Sequence, residues 1–148
     1  FYFVVKTVKN IVNCKIARED ECKMQITCGT DIIEIDRIQK SIEEMGERFL
    51  ERVYTPQEIA YCESKKMQRY QHYAARFAAK EAVFKALSGE LKDKYAIEWR
   101  NIEVINNEQG RPKVHLQGLH IPNIQNIDIS ISHCKSYAVA NVVAVMDL

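Results

Sequence analysis

Four ionisable side chains crowd the segment RFAAKEAVFKAL, residues 76 to 87: Arg76, Lys80, Glu81 and Lys85. At about 100° per residue, Ala78, Ala79, Ala82, Val83 and Ala86 fall on one side of a helix, where small side chains let another element approach closely. That side is read as the core. Arg76 and Lys80 then project near each other on the other half, and Glu81 and Lys85 form a second i,i+4 pair beyond Phe77 and Phe84. A Glu-to-Lys pair at this spacing helps a helix by about 0.2–0.5 kcal/mol, and two cations at the same spacing cost a similar amount. An ordinary solvated face therefore accounts for Glu81 and Lys85 but gives no reason for Arg76 beside Lys80. A bound polyanion does.

Asp31 lies between GT and II in MQITCGTDIIEI, residues 24 to 35. A carboxylate buried there needs a cation or several hydrogen-bond donors. On its own it reads as a turn or cap aspartate. Paired with Glu81 it suits magnesium, which takes one or two protein carboxylates, several waters and substrate phosphates. Arg76, Lys80 and Lys85 would then hold the rest of a pyrophosphate. His133, in SISHCKSY, stands where a strand enters a turn. It is either a hydrogen-bonded turn residue or a group that donates to an anion and titrates near neutrality.

The elements that must position these residues follow from period and punctuation. Residues 24 to 35 read as a strand that passes close to something at Gly29. Ile38, Ile42, Met45 and Phe49, at steps of four, three and four, make one helical stripe that Gly46 kinks or divides. Thr55, Pro56 and Glu58 spell a capping box at the start of a second helix. A third helix runs from about Gln71 to Leu87 and ends near Gly89. The second half changes period: residues 102–106, 112–117, 127–132 and 137–145 read as strands, with NNEQGRP and HCKS as turns. The expected class is α+β: an early strand, a helical layer and an antiparallel meander.

Composition bounds the rest. The 148 residues carry 21 basic and 20 acidic side chains, a net charge of +1, which gives no field suited to general nucleic-acid or membrane binding. No apolar run approaches the roughly 18 residues of a membrane span. The five cysteines are scattered without a C-x-x-C pair and read as reduced cytosolic thiols. His115 and His120 read as surface or packing residues. Residues 1–23 fit neither a secretory signal nor a transit peptide and read as an appendage before a main domain of residues 24–148.

Taken together, GTDIIEIDRI (29–38), RFAAKEAVFKAL (76–87), IEVINNEQGRPKV (102–114) and ISISHCKSYAVA (129–140) closely resemble the holo-acyl-carrier-protein synthases, the small subgroup of the 4'-phosphopantetheinyl transferases. Their span is essentially all of residues 24–148. The combination of G-x-D, F-x-x-K-E-A-x-x-K and S-x-S-H carries the resemblance; each piece alone is weak. ALSGEL (86–91) departs from the more glycine-rich turn common in the family.

The resemblance implies a 4'-phosphopantetheinyl transferase-like fold, with a helical layer on an antiparallel sheet, and a cytoplasmic homotrimer with active sites between subunits. It implies magnesium-dependent transfer of phosphopantetheine from coenzyme A to a serine of apo acyl carrier protein, releasing adenosine bisphosphate and serving fatty acid biosynthesis. By matching position, Asp31 and Glu81 would be the metal ligands, and Arg76, Lys80, Lys85 and His133 would contact coenzyme A phosphates. Lys85 is further expected to stabilise or protonate the departing phosphate, and Lys80 to neutralise the pyrophosphate or support the metal shell. Glu81 and a water on the metal both remain open as the base. His133 can come from a neighbouring protomer.

Were residues 37–52 helical throughout, Arg37, Arg48 and Arg52 would lie within about 60° of one another. Arg37 matches a family position that meets acidic residues of the carrier; the other two are a carrier-binding stripe or ordinary surface arginines beside Glu44, Glu47 and Glu51. Two other readings compete with the transferase. One is a magnesium-dependent nucleotide pyrophosphohydrolase with water as nucleophile. The other is a noncatalytic carrier-binding module.

Overall fold

The computed structural model describes residues 23–89, 97–119 and 121–147. Along them run β1 (Met24–Glu34), α1 (Ile35–Met45), α2 (Glu47–Val53), α3 (Pro56–Ser64), α4 (Arg69–Leu87), β2 (Ile102–Asn106), β3 (Pro112–Leu116), β4 (Ile124–His133) and β5 (Tyr137–Asp147). Residues 1–22 of the expected appendage, with Cys14 and Cys22, lie outside the described residues, as does His120.

The α+β class holds, but the four late strands do not form one meander. Among the described residues β2 and β3 pair only with each other, and the larger antiparallel sheet has the order β1-β5-β4. The first strand of the described chain thus lies beside the last. Both are eleven residues long, and both alternate between a buried and a more open face. Pairing them makes one continuous apolar face, which the five-residue β2 and β3 are too short to match.

That face receives α4. Ala78, Ala79, Ala82, Val83 and Ala86 are buried, as their spacing predicts. A methyl group on Gly29 of β1 would stand 2.0 Å from the carbonyl oxygen of Ala82 and 2.7 Å from the amide nitrogen of Ala86. The close approach expected at the glycine is therefore a contact between two backbones. No other residue leaves room for it.

Gly46 divides the first helical stripe rather than bending it. Its φ of 59° and ψ of −137° lie where side-chain-bearing residues rarely go, so α1 ends at Met45 and α2 starts at Glu47. Ile38 enters the core and Ile42 and Phe49 pack against it, while Met45 is about half exposed at 49%. The same division removes the single helix on which Arg37, Arg48 and Arg52 were to align. Arg37 sits on α1 and the other two on α2, all three exposed.

α3 starts at the predicted capping box: the Thr55 hydroxyl accepts from the Glu58 amide, and the Glu58 carboxylate accepts from the Thr55 amide. Glu58 has a larger role. Fully buried, it also accepts from the Val104 amide at 2.8 Å and pairs with Lys80 at 2.7 Å. The Lys80 ammonium donates further to the carbonyl oxygens of Trp99 and Ile102. Beside it, buried Glu103 accepts from the Thr55 hydroxyl and the Gln117 amide. This corrects the outward placement expected for Arg76 and Lys80. Lys80 is 0% exposed and Arg76 3%, because the polar groups of α3 and β2 supply partners that the helix alone does not reveal. Among the described residues, no helix is long and apolar enough to cross a membrane.

Two stability outcomes follow. Gly29→Ala loses about 3 kcal/mol or more in urea unfolding, the upper range for overpacking, because backbone cannot swing aside as a side chain would. Lys80→Met leaves the Glu58 carboxylate buried without its cation and costs about 3–5 kcal/mol, and adding Glu58→Gln restores part of that loss.

Candidate active site

Strand alternation turns Thr27, Gly29, Asp31 and Ile33 of β1 toward α4. Asp31 thereby meets Lys85, whose ammonium donates to Asp31 Oδ1 at 2.7 Å and to the Thr30 carbonyl oxygen at 3.0 Å. The expectation that Asp31 needs a cation is met from within the chain. The Lys85 side chain is 23% exposed and that of Asp31 16%, so the pair sits at an open edge rather than in the core. Two of the three Lys85 donors are engaged; the third is available to another acceptor.

Glu81, one helical turn before Lys85, completes this cluster. Burial holds its carboxyl above the usual range, the negative charge of Asp31 raises it further, and Lys85 partly offsets both. Two carboxylates beside one lysine leave an excess negative charge. Among the described residues, no group of three His, Cys, Asp or Glu side chains converges to hold a metal. A donor set of Asp31 and Glu81 is too small for an all-protein cage but fits magnesium, which keeps water and takes substrate phosphate oxygens.

Arg76 and His133 form a separate cluster. Arg76 and Glu81 are about 140° apart around α4, so their side chains leave the helix in different directions. The Arg76 guanidinium lies 4.0 Å from the centre of the Tyr61 ring and donates to Asn106 Oδ1 at 3.0 Å. Its Nε has no partner among the described residues. Tyr61 meets the ring of His72 edge-on at 5.6 Å, and His72 meets that of His133 edge-on at 5.8 Å. Burial, then the charges of Arg76, His133 and Lys65, push His72 down to about 4, so its ring is neutral at pH 7.

The structure thus brings together Asp31, Glu81 and Lys85, and separately links Arg76 to His133. Lys80 joins neither group. With its three donors bonded to Glu58 and two carbonyl oxygens, it has none left for a phosphate or a metal-bound water. Burial weakens its hold on its proton, and the carboxylates of Glu58 and Glu103 counter that. Arg37, Arg48 and Arg52 lie on α1 and α2, exposed to solvent.

Sequence spacing missed His72, Tyr61 and Asn106. His72 carried a signal, since it stands four residues before Arg76 on the same helical row. Tyr61 and Asn106 arrive from α3 and β2 and carried none. His115 is exposed on β3, as read. Cys28, Cys62 and Cys134 are free thiols, and burial pushes Cys62 up to about 12, leaving it inert near neutrality.

Comparison with known proteins matches residues 27–142 to the 4'-phosphopantetheinyl transferase superfamily. The holo-[acyl-carrier-protein] synthase of Ruminiclostridium cellulolyticum is 46% identical over 122 residues, which cover 79% of this chain and 90% of that protein. The Bacillus anthracis holo-(acyl-carrier-protein) synthase, solved in complex with CoA (3',5'-ADP), is 35% identical with a TM-score of 0.66, covering 81% of this chain and 96% of that one. The Helicobacter pylori synthase, solved in complex with coenzyme A, is 31% identical with a TM-score of 0.66, covering 79% and 98%. With the helical layer on its antiparallel sheet and these likenesses along most of its length, the chain belongs to the 4'-phosphopantetheinyl transferase superfamily, as an enzyme of its holo-[acyl-carrier-protein] synthase group.

Proposed function

We propose that this chain transfers the 4'-phosphopantetheine group of coenzyme A to a serine hydroxyl of apo acyl carrier protein and releases adenosine 3',5'-bisphosphate. The observation that carries the reading is the cluster of Asp31, Glu81 and Lys85 at an open edge, in a chain whose relatives are named for this reaction. Magnesium is the cofactor, with Asp31 and Glu81 as its protein ligands. When bound, it supplies positive charge that neutralises the pyrophosphate and draws electron density from the phosphorus under attack.

The chain's own groups do the rest. Glu81 takes the proton of the serine hydroxyl as general base. The serine oxygen forms a bond to the phosphorus that bears pantetheine, and the bond from that phosphorus to the bridging oxygen breaks. The electron pair leaves with the 5'-phosphate of adenosine bisphosphate. Lys85, held by Asp31 and Thr30, directs its remaining N–H at that developing charge. Arg76 and His133 anchor other phosphate oxygens of coenzyme A. Lys80 supports α4 from inside and takes no part in phosphate binding.

A homotrimer with shared sites accounts for the division of site residues into two clusters. Asp31, Glu81 and Lys85 of one protomer then work with His133 of the next. The sheet face turned away from α4 supports this self-association: it exposes Ile26, Ile32, Tyr137 and Val143, with Ile32 at 65%. Exposed Arg37, Arg48 and Arg52 offer an acidic carrier a cationic approach from α1 and α2, so association weakens as salt rises. The product serves fatty acid biosynthesis in the cytoplasm.

Intact-mass analysis of apo acyl carrier protein, incubated with this chain, coenzyme A and magnesium, shows a gain of one phosphopantetheine, and a chelator abolishes it. No gain with folded protein would overturn the reading. Adenosine bisphosphate released without any carrier protein would instead favour the pyrophosphohydrolase. Asp31→Asn and Glu81→Gln each lower kcat/KM by about 10²–10³, the scale for losing a preorganised electrostatic contact, while circular dichroism stays native. Mixing inactive Asp31→Ala with inactive His133→Ala restores transfer if the site is shared, and an inactive mixture places both residues in one protomer's site.

A further inference from the structure

His133 ends β4, exposed, just before the turn into β5. Among the described residues its side chain makes no hydrogen bond, and its ring contact is His72. An exposed imidazole at a strand end has several rotamers open to it unless a neighbour removes them. His72 is such a neighbour: half-buried, on α4, with its ring meeting both Tyr61 and His133 edge-on. Tyr61 in turn lies under the Arg76 guanidinium. A continuous row of rings therefore joins the two groups proposed to anchor phosphate, and α4 contributes both Arg76 and, one turn earlier, His72.

We infer that His72 is a positioning residue: its ring is the spacer that fixes the His133 imidazole relative to the Arg76 guanidinium, and so sets the geometry of the phosphate-anchoring half of the site. This rests on the transferase reading, and specifically on His133 and Arg76 as coenzyme A contacts. His72 does not itself touch substrate. The groups that face it are Arg76 from α4, Tyr61 and Lys65 from the end of α3, and His133 from β4. Three of these carry or can carry positive charge. A cationic ring at this position would set a like charge beside Arg76 and Lys65; one kept neutral by burial packs there without that repulsion.

The role is shape and ring contact, so Phe should replace His72 and a residue without a ring should not. His72→Ala raises KM for coenzyme A about tenfold, well inside the ~10²-fold that an ångström of misplacement costs. Its kcat and its KM for the carrier stay within about twofold, the signature of binding lost equally from ground and transition states. His72→Phe keeps all three parameters near the parent values. In proton NMR, the His133 ring resonances carry the ring-current shift of the His72 edge contact; they move toward random-coil positions in His72→Ala and hold an aromatic shift in His72→Phe.

If His72→Ala fails to fold, His72→Gln, polar and of similar length but without a ring, is measured against the same expectations. Unchanged His133 resonances and unchanged KM for coenzyme A in a folded ringless variant would overturn the inference, provided the parent transfers. A parent that transfers nothing while the His133 resonances still follow the ring at position 72 would sink the transferase reading and leave the positioning contact standing.

Discussion

The structure depends on how closely α4 can approach β1. Gly29 presents only hydrogen to the helix, and a single methyl group there would overlap the Ala82 carbonyl. The alanine face of α4 completes the fit from the other side. Because strand side chains alternate, the residue two along from Gly29 faces the same helix at nearly the same depth. That residue is Asp31, and the close approach lets Lys85 reach its carboxylate while Glu81 stands within reach of both charges. A looser helix–strand contact would separate these groups, and the excess negative charge on which the metal proposal rests would be dispersed.

The charged residues of α4 divide between three tasks: helical phase separates Glu81 and Lys85 from Arg76 and Lys80, and partners on other elements separate those two. Lys80 faces the core and neutralises Glu58, which itself caps α3 and binds the β2 backbone. A buried pair of this kind adds little net stability compared with an apolar pair of the same size. Its value lies in joining α3, α4 and β2 through one carboxylate, so that α4 cannot rotate without breaking several bonds at once. Glu81 and Lys85 face β1 and the open edge. Arg76, four residues before Lys80, is buried against the Tyr61 ring of α3 and the Asn106 side-chain amide. Helical phase thus assigns one lysine to architecture and the other to the site.

The two clusters also differ in electrostatic character. Around Asp31 and Glu81, negative charge is concentrated and a carboxyl is pushed toward its protonated form. Beside Arg76 and Lys65, charge is positive and His72 is pushed toward its neutral form. In each, burial is the first cause and the neighbouring like charge the second. Under the proposed transfer, a divalent cation would meet the carboxylates and phosphate oxygens would meet the guanidinium and imidazole.

The sequence by itself determined what local spacing encodes. The capping box of Thr55 and Glu58, the break at Gly46, the small-residue core face of α4 and the need for close approach at Gly29 are all written in neighbours within one helical turn or one strand. Asp31 stood out because a carboxylate in an apolar strand is costly without a partner, and Arg76 beside Lys80 because two cations one helical turn apart repel; Glu81 and Lys85 gained meaning only beside them. Tertiary structure decided which partner each charge received. Lys80 and Arg76 share a row on α4, and only the arrival of Glu58 and the carbonyls of Trp99 and Ile102 made one an internal strut, while Tyr61 and Asn106 engaged the other. The pairing of β1 with β5 was likewise invisible in either strand alone. Period tells which face of a strand is buried; it carries no information about which distant strand has the length and apolar face to bury it against.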